Sequence, residues 1–164
     1  AYAAFRPDAD KSWSSIKLNL SYDRVFAKNW LFHGGYSGQF TSDLLISGEQ
    51  FGVGGSRSLR GFEERSVTGD LGNQLSFEIW TPAYAGVRYL FFFDQASVEF
   101  NDGSGPNDGV SFDLSSYGFG LRWSWKQQLS ISVDVGIINE GGGLDTTINE
   151  DGDSKAHFNL IYRF

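Results

Sequence analysis

The chain contains no cysteine and no methionine, and only 3 of its 164 residues are proline. Without cysteine there is no disulfide framework, no zinc-thiolate site and no cysteine nucleophile. No run of about 18 apolar residues occurs, which excludes a membrane-spanning helix but leaves spanning strands open. Positive charge is scarce: 13 Lys and Arg against 20 Asp and Glu give a net charge of -7. That balance argues against a nucleic-acid partner, since affinity for phosphate backbones rests largely on cations. The opening residues AYAAFRPD carry no charged region leading into an apolar core. The expectation is that a signal peptide has been removed or that the chain begins inside a larger protein.

What is abundant is glycine, at 21 residues, and aromatic side chains, at 16%. The length suggests one domain. A mean hydropathy of -0.28 is no obstacle to a membrane location, because in a barrel wall every second residue faces a polar lumen. The pattern supports that reading. Ile16, Leu18, Leu20 and Tyr22 alternate with Lys17, Asn19, Ser21 and Asp23; after Ala27-Lys28-Asn29, residues Trp30, Phe32, Tyr36 and Phe40 alternate with His33, Gly35, Ser37 and Gln39. Such period-two segments predict strands with one apolar side. Leu75, Phe77 and Ile79 continue the pattern before Pro82.

After Tyr84-Ala85-Gly86, the set Val87, Tyr89, Phe91 and Phe93 opposes Arg88, Leu90, Phe92 and Asp94, so both faces are partly apolar and the alternation is weakest. Tyr117, Phe119, Leu121, Trp123 and Trp125, the turn Lys126-Gln127-Gln128, and Leu129, Ile131, Val133, Val135 and Ile137 form the clearest hairpin. Phe158, Leu160, Tyr162 and Phe164 close the chain. Three-residue turns alternate with long polar segments at 42–69, 101–113 and 140–155. This is the asymmetry of a transmembrane antiparallel β-barrel, with short periplasmic turns and long extracellular loops. The count is seven full strands plus a partial one at residues 1–5, too short for the 9 to 11 or so residues that a tilted spanning strand needs.

Segment 42–69 is long for a loop and carries Gly48, Gly52, Gly54, Gly55 and Gly61; loops of this length are usually functional or disordered. Within it, Gly54-Gly55-x-x-Ser58-Leu59-Arg60-Gly61-Phe62 resembles the signature loop of the outer-membrane superfamily that contains the β-barrel assembly proteins and the two-partner secretion transporters. Leu59 stands where valine is usual. Phe92-x-Asp94 resembles the start of the family's F-x-D-x-G strand motif, with Ala96 at the glycine position. Gly118-x-Gly120 before Leu121-Arg122-Trp123 and a terminal strand ending in Phe164 are also similar, while Gly69-Asp70-x-Gly72 and Ser76-x-Glu78 look more like the secretion branch.

The resemblance implies that residues 1–164 are the C-terminal part of a larger, sixteen-stranded outer-membrane barrel domain, with no POTRA domains in the chain. It also implies that Arg60 folds into the lumen and pairs with Asp94, with Glu78 as a second acceptor. A guanidinium and a lumen carboxylate suit a bidentate, charge-assisted pair. The implied function is export of an unfolded secreted partner through the lumen. The implied partners are outer-membrane lipid, the secreted protein, and the barrel-assembly machinery, which would read Phe158, Leu160, Tyr162 and Phe164. Missing N-terminal strands or another chain would cover the open edges, since unpaired strand edges in hydrocarbon cost several kcal/mol per group. Two alternatives stay open: a barrel-assembly factor, and a small closed eight-stranded barrel whose interior would be filled by its own side chains.

No catalytic role, cofactor or metal is expected. His33 and His157, with Asp23 or Asp134 as orienting acid, could assemble a triad across a lumen, but there is no G-x-S-x-G elbow. Asp102, Asp108, Asp113, Glu150, Asp151 and Asp153 lack the spacing of a calcium loop. The glycine clusters lack the Lys-Ser/Thr of a phosphate loop.

Overall fold

The computed structural model describes residues 12–101, 109–126, 128–143 and 149–164. Among the described residues nine strands form: β1 (Ile16–Phe26), β2 (Trp30–Phe40), β3 (Phe51–Val53), β4 (Val67–Gly69), β5 (Leu71–Trp80), β6 (Val87–Glu99), β7 (Ser111–Trp125), β8 (Leu129–Glu140) and β9 (Ser154–Tyr162). Seven of them make one antiparallel sheet in the order β1-β2-β5-β6-β7-β8-β9, and β3 and β4 make a small separate hairpin. Strands of this wall run 9 to 15 residues, the length expected of tilted transmembrane strands. The expected partial strand at residues 1–5 lies outside the described residues.

The three tight turns hold residues at positive φ: Lys28 (57°) and Asn29 (69°), Ala85 (50°) and Gly86 (79°), and Lys126 (48°). This left-handed conformation lets a very short connection reverse an antiparallel ladder. The register is unbroken from Ile16 opposite Phe40 to Phe26 opposite Trp30, and one irregularity occurs, between Ser115 and Ser116 on β7. The long connections all lie at the other end of the sheet.

Burial in the wall is inverted. Ile16 is 72% exposed, Phe91 60% and Phe158 67%, whereas Asp94 and Ser116 are 0% exposed. Alternate residues of one sheet therefore place large apolar groups outward and polar groups inward. A water-soluble sheet would reverse this, because burying apolar area drives folding in water. An outward-facing apolar band is favourable against acyl chains. On this basis Phe119→Lys, which puts a cation on the outer face of β7, is expected to destabilise the wall by about 2–4 kcal/mol. Ser132→Lys on the inner face of β8 should cost much less. Urea unfolding in lipid vesicles measures both.

The inner face carries its own small apolar core: Val53, Leu59, Phe62, Val67, Ala96, Val98, Leu114 and Ile138, flanked by Phe51 and Phe112. Four of these eight come from the long segment between β2 and β5, and the others from β6, β7 and β8. This accounts for β6 being apolar on both sides: Phe91 and Phe93 face out, while Phe92 and Val98 lie beneath the inserted loop.

Candidate functional site

The long segment between β2 and β5 is tied down at the rim and then turns inward. At the rim, Asp70 is fully buried. Its Oδ1 accepts the backbone N–H of Leu45 (3.0 Å) and its Oδ2 that of Asn101 (3.0 Å), so one carboxylate fixes two loops. Its backbone carbonyl accepts Gln39 Nε2 (3.0 Å). Asp70→Ala would orphan the backbone N–H groups of Leu45 and Asn101 at about 1–3 kcal/mol for each one left buried. The expected result is faster protease cutting within 42–50 with the strand wall still assembled.

Below the rim, β3 and β4 pair Phe51 with Gly69 and Val53 with Val67, and residues 54–66 form the apex. Ser58 Oγ closes the apex on itself, accepting from Gly54 N and donating to Gly54 O, both at 2.8 Å. Leu59 and Phe62 are fully buried in the inner core. Their burial fixes the backbone between them and directs Arg60 at the wall.

Arg60 is 5% exposed. Its Nε donates to Asp94 Oδ2 at 2.7 Å and its Nη2 to Asp94 Oδ1 at 2.7 Å, a bidentate fork. Its backbone N–H adds a third bond to the same carboxylate, 3.2 Å to Oδ2. Nη1 donates to Glu78 Oε1 at 2.6 Å, and Ser76 Oγ lies 3.2 Å from Nη2 while donating to Asp94 Oδ1 at 2.6 Å. The guanidinium plane rests on Phe92, 3.6 Å from the ring centroid. All four receiving residues sit on two neighbouring strands at every second position, and Ser76 lies opposite Asp94 and Glu78 opposite Phe92 in the β5–β6 register. Burial works against the charge of Arg60, but hydrogen bonds and charge from Asp94, then Glu78, outweigh it, so its pKa lies above the ordinary value.

The backbone after Arg60 approaches β8 closely. Gly61 adopts φ +100°, and a Cβ placed on Gly136 would lie 2.5 Å from Gly61 N and 2.6 Å from Arg60 C. Only glycine at 136 lets the loop settle there. Lys155 Nζ on β9 meets Glu63 Oε1 at 2.9 Å on the loop's far side. The loop is thus braced against β5, β6, β8 and β9.

Of the residues singled out in the sequence, Ser58, Leu59, Arg60, Gly61, Phe62, Asp94 and Glu78 come together in this one cluster. Ser76 and Phe92 belonged to the quoted motifs without an assigned role, and Gly136 carried no local signal. Phe158, Leu160 and Tyr162 lie apart, on the exposed outer face of edge strand β9, followed by Phe164. His33 Nδ1 pairs with Asp23 Oδ1 across β1–β2 at 2.6 Å. His157 lies opposite Asp134, whose carboxylate is instead taken by both terminal nitrogens of Arg122 at 2.8 Å. Among the described residues no serine hydroxyl hydrogen-bonds either histidine, and no group of three acidic or histidine side chains is placed to hold a metal. Asp102 and Asp108 lie outside the described residues.

The haemolysin secretion/activation protein family ShlB/FhaC/HecB matches residues 3–123. The heme/hemopexin transporter protein HuxB of Haemophilus influenzae is 25% identical over 167 residues, 98% of this chain and 28% of that protein. The outer membrane transporter CdiB of Dickeya dadantii is 26% identical over 141 residues, 79% of this chain and 25% of that protein. The structure of CdiB from Acinetobacter baumannii superposes with a TM-score of 0.66 at 19% identity, covering 90% of this chain and 26% of the other, a likeness of fold. The chain therefore spans only about a quarter of the length of these relatives. With its apolar outer face and these relatives, the sheet is the wall of a Gram-negative outer-membrane β-barrel. Matched over most of its length, the chain belongs to the haemolysin secretion/activation protein family ShlB/FhaC/HecB.

Proposed function

We propose that this chain is one side of the lumen of a two-partner secretion transporter, and that its Arg60 loop is the removable obstruction in the path of an exported polypeptide. The observation that carries this reading is the placement of the loop. A segment bonded to the inner wall through one buried guanidinium, over a small apolar core, occupies space that a translocating chain would need. A latch built on one ion-pair cluster can also be undone without unfolding the wall, whose ladders do not involve it.

On this reading the chain is the C-terminal part of a larger, sixteen-stranded barrel. Strands supplied by the rest of the protein or by another chain cover the free edges of β1 and β9. The inserted loop favours this over a closed eight-stranded barrel, whose interior has no room for a loop. The terminal residues Phe158, Leu160, Tyr162 and Phe164 would be the segment that the barrel-assembly machinery recognises. The site is a conduit and not a catalyst, and direction would come from folding of the exported partner outside the cell.

The relatives named as transporters favour export over barrel assembly. In cells whose copy of the gene is deleted, the secreted partner is expected to accumulate in the periplasm while outer-membrane porins assemble at normal levels. Restoring the wild-type gene should return the partner to the medium. Defective porin assembly with unimpaired secretion would replace this reading with the assembly-factor one.

A further inference from the structure

Between the Arg60 cluster and the short-turn end of the inner face lies a second group of side chains that the latch does not use. Trp80, the last residue of β5, has two guanidinium groups against its ring, with Arg88 Cζ 5.3 Å and Arg122 Cζ 5.4 Å from the centroid. The two arginines face each other across the β6–β7 register. They differ in charge balance. Arg122 is neutralised by its bidentate bond to Asp134. Arg88 donates Nε to the backbone carbonyl of Thr81 at 2.8 Å, and among the described residues its terminal nitrogens meet no carboxylate. Those two nitrogens form a planar fork at the end of a half-buried side chain that the carbonyl and the indole position on the inner face.

Such a fork is suited to a carboxylate, because a guanidinium offers two parallel N–H donors at the spacing of two carboxylate oxygens. Stacking on indole strips part of its water and strengthens the attraction to an incoming anion. We propose that Arg88, held on Trp80, is a contact site for acidic side chains of an extended polypeptide entering from the short-turn end. This rests on the conduit reading above and adds to it a chemical preference in the moving chain. The site also touches the latch: Trp80 Nε1 donates to Glu78 Oε2 at 2.7 Å, and Glu78 Oε1 holds Arg60. An acidic segment drawn to Arg88 therefore arrives one hydrogen bond away from the group that anchors the loop.

The test uses the closed barrel containing this chain in planar bilayers at low salt, with a glutamate-rich extended peptide and its glutamine counterpart as probes. From the short-turn side, the glutamate peptide is expected to interrupt the current at about tenfold lower concentration, equivalent to about 1.4 kcal/mol. Arg88→Gln should abolish that preference, whereas Lys17→Gln, which removes an inner-face cation of β1 away from Trp80, should keep it. Unchanged conductance without peptide shows that the variant barrel has assembled. If Arg88→Gln does not assemble, Arg88→Lys keeps the charge, lacks the fork, and is expected to lose most of the preference. A preference that survives either Arg88 substitution overturns the site. Equal block by both peptides overturns it too while leaving the conduit standing. Failure of both peptides to enter, together with failed secretion, would instead count against the conduit itself.

Discussion

Asp94→Ala is expected to free the loop from the wall and raise the fraction of time that the barrel conducts. The carboxylate accepts four bonds, three from Arg60 and one from Ser76, and is itself fully buried. Its removal leaves Arg60 with Glu78 alone as a charged partner and strands the Arg60 backbone N–H. Breaking a buried pair by deleting one partner typically costs about 3–5 kcal/mol. That cost falls on docking of the loop, because the β5–β6 ladder is made of backbone bonds that the substitution does not touch. Amide exchange over residues 54–66 should accelerate by two orders of magnitude or more, since each 1.4 kcal/mol or so is a factor of ten, while exchange in β5 and β6 stays slow. Unchanged protection of the loop would contradict the assignment of Asp94 as its anchor.

Gly136→Val is expected to produce a comparable release by a different route. The new Cβ would lie 2.5 Å from Gly61 N, 2.6 Å from Arg60 C and 2.8 Å from Arg60 O. All three are backbone atoms, so no flexible side chain can swing aside. Overpacking commonly costs about 1–3 kcal/mol, and contacts this close to main chain belong at the upper end. Valine suits a strand, so β8 should keep its pairing with β7 and β9. The expected result is a well-assembled barrel with an unprotected loop. Gly34→Ala, where the nearest atom is a Phe32 side-chain carbon at 3.4 Å, should leave the loop as protected as in the wild type.

The wall was largely legible in the chain. Period-two alternation places all seven strands, because one side must satisfy lipid and the other water, and that demand repeats every second residue. Legibility ends where the inner face serves the loop instead of the lumen. β6 blurs the pattern because Leu90, Phe92 and Val98 are apolar on the inner side. Val98 there packs in one core with Leu59 and Phe62, and Phe92 lies under the Arg60 guanidinium, both partners distant in sequence. β3 and β4 escape notice because three residues apiece are too short to show a period. The segment read as loop at 101–113 also contains the start of β7 at Ser111, where Ser111 and Asp113 look like loop residues.

In the site, charged residues within recognisable motifs could be found, since Arg60, Asp94 and Glu78 stand out against a wall of small polar groups. Gly136 could not. Its role is an absence of atoms at a point where another segment passes, and nothing nearby in the sequence records that crossing. Trp80 and Arg88 sat beside Pro82 and looked like ordinary residues at a strand end. Only the fold brings their ring and guanidinium together.

The most direct test of the latch is a double-mutant cycle on Arg60→Ala and Asp94→Ala, read as the free energy of loop release from amide exchange in the reconstituted barrel. If the two side chains hold the loop as one unit, removing the second after the first adds little, and the coupling lies at the upper end of the roughly 0.5–3 kcal/mol seen between contacting residues. Losses that simply add would mean that each acts alone, and the loop would have to be held by something other than this pair.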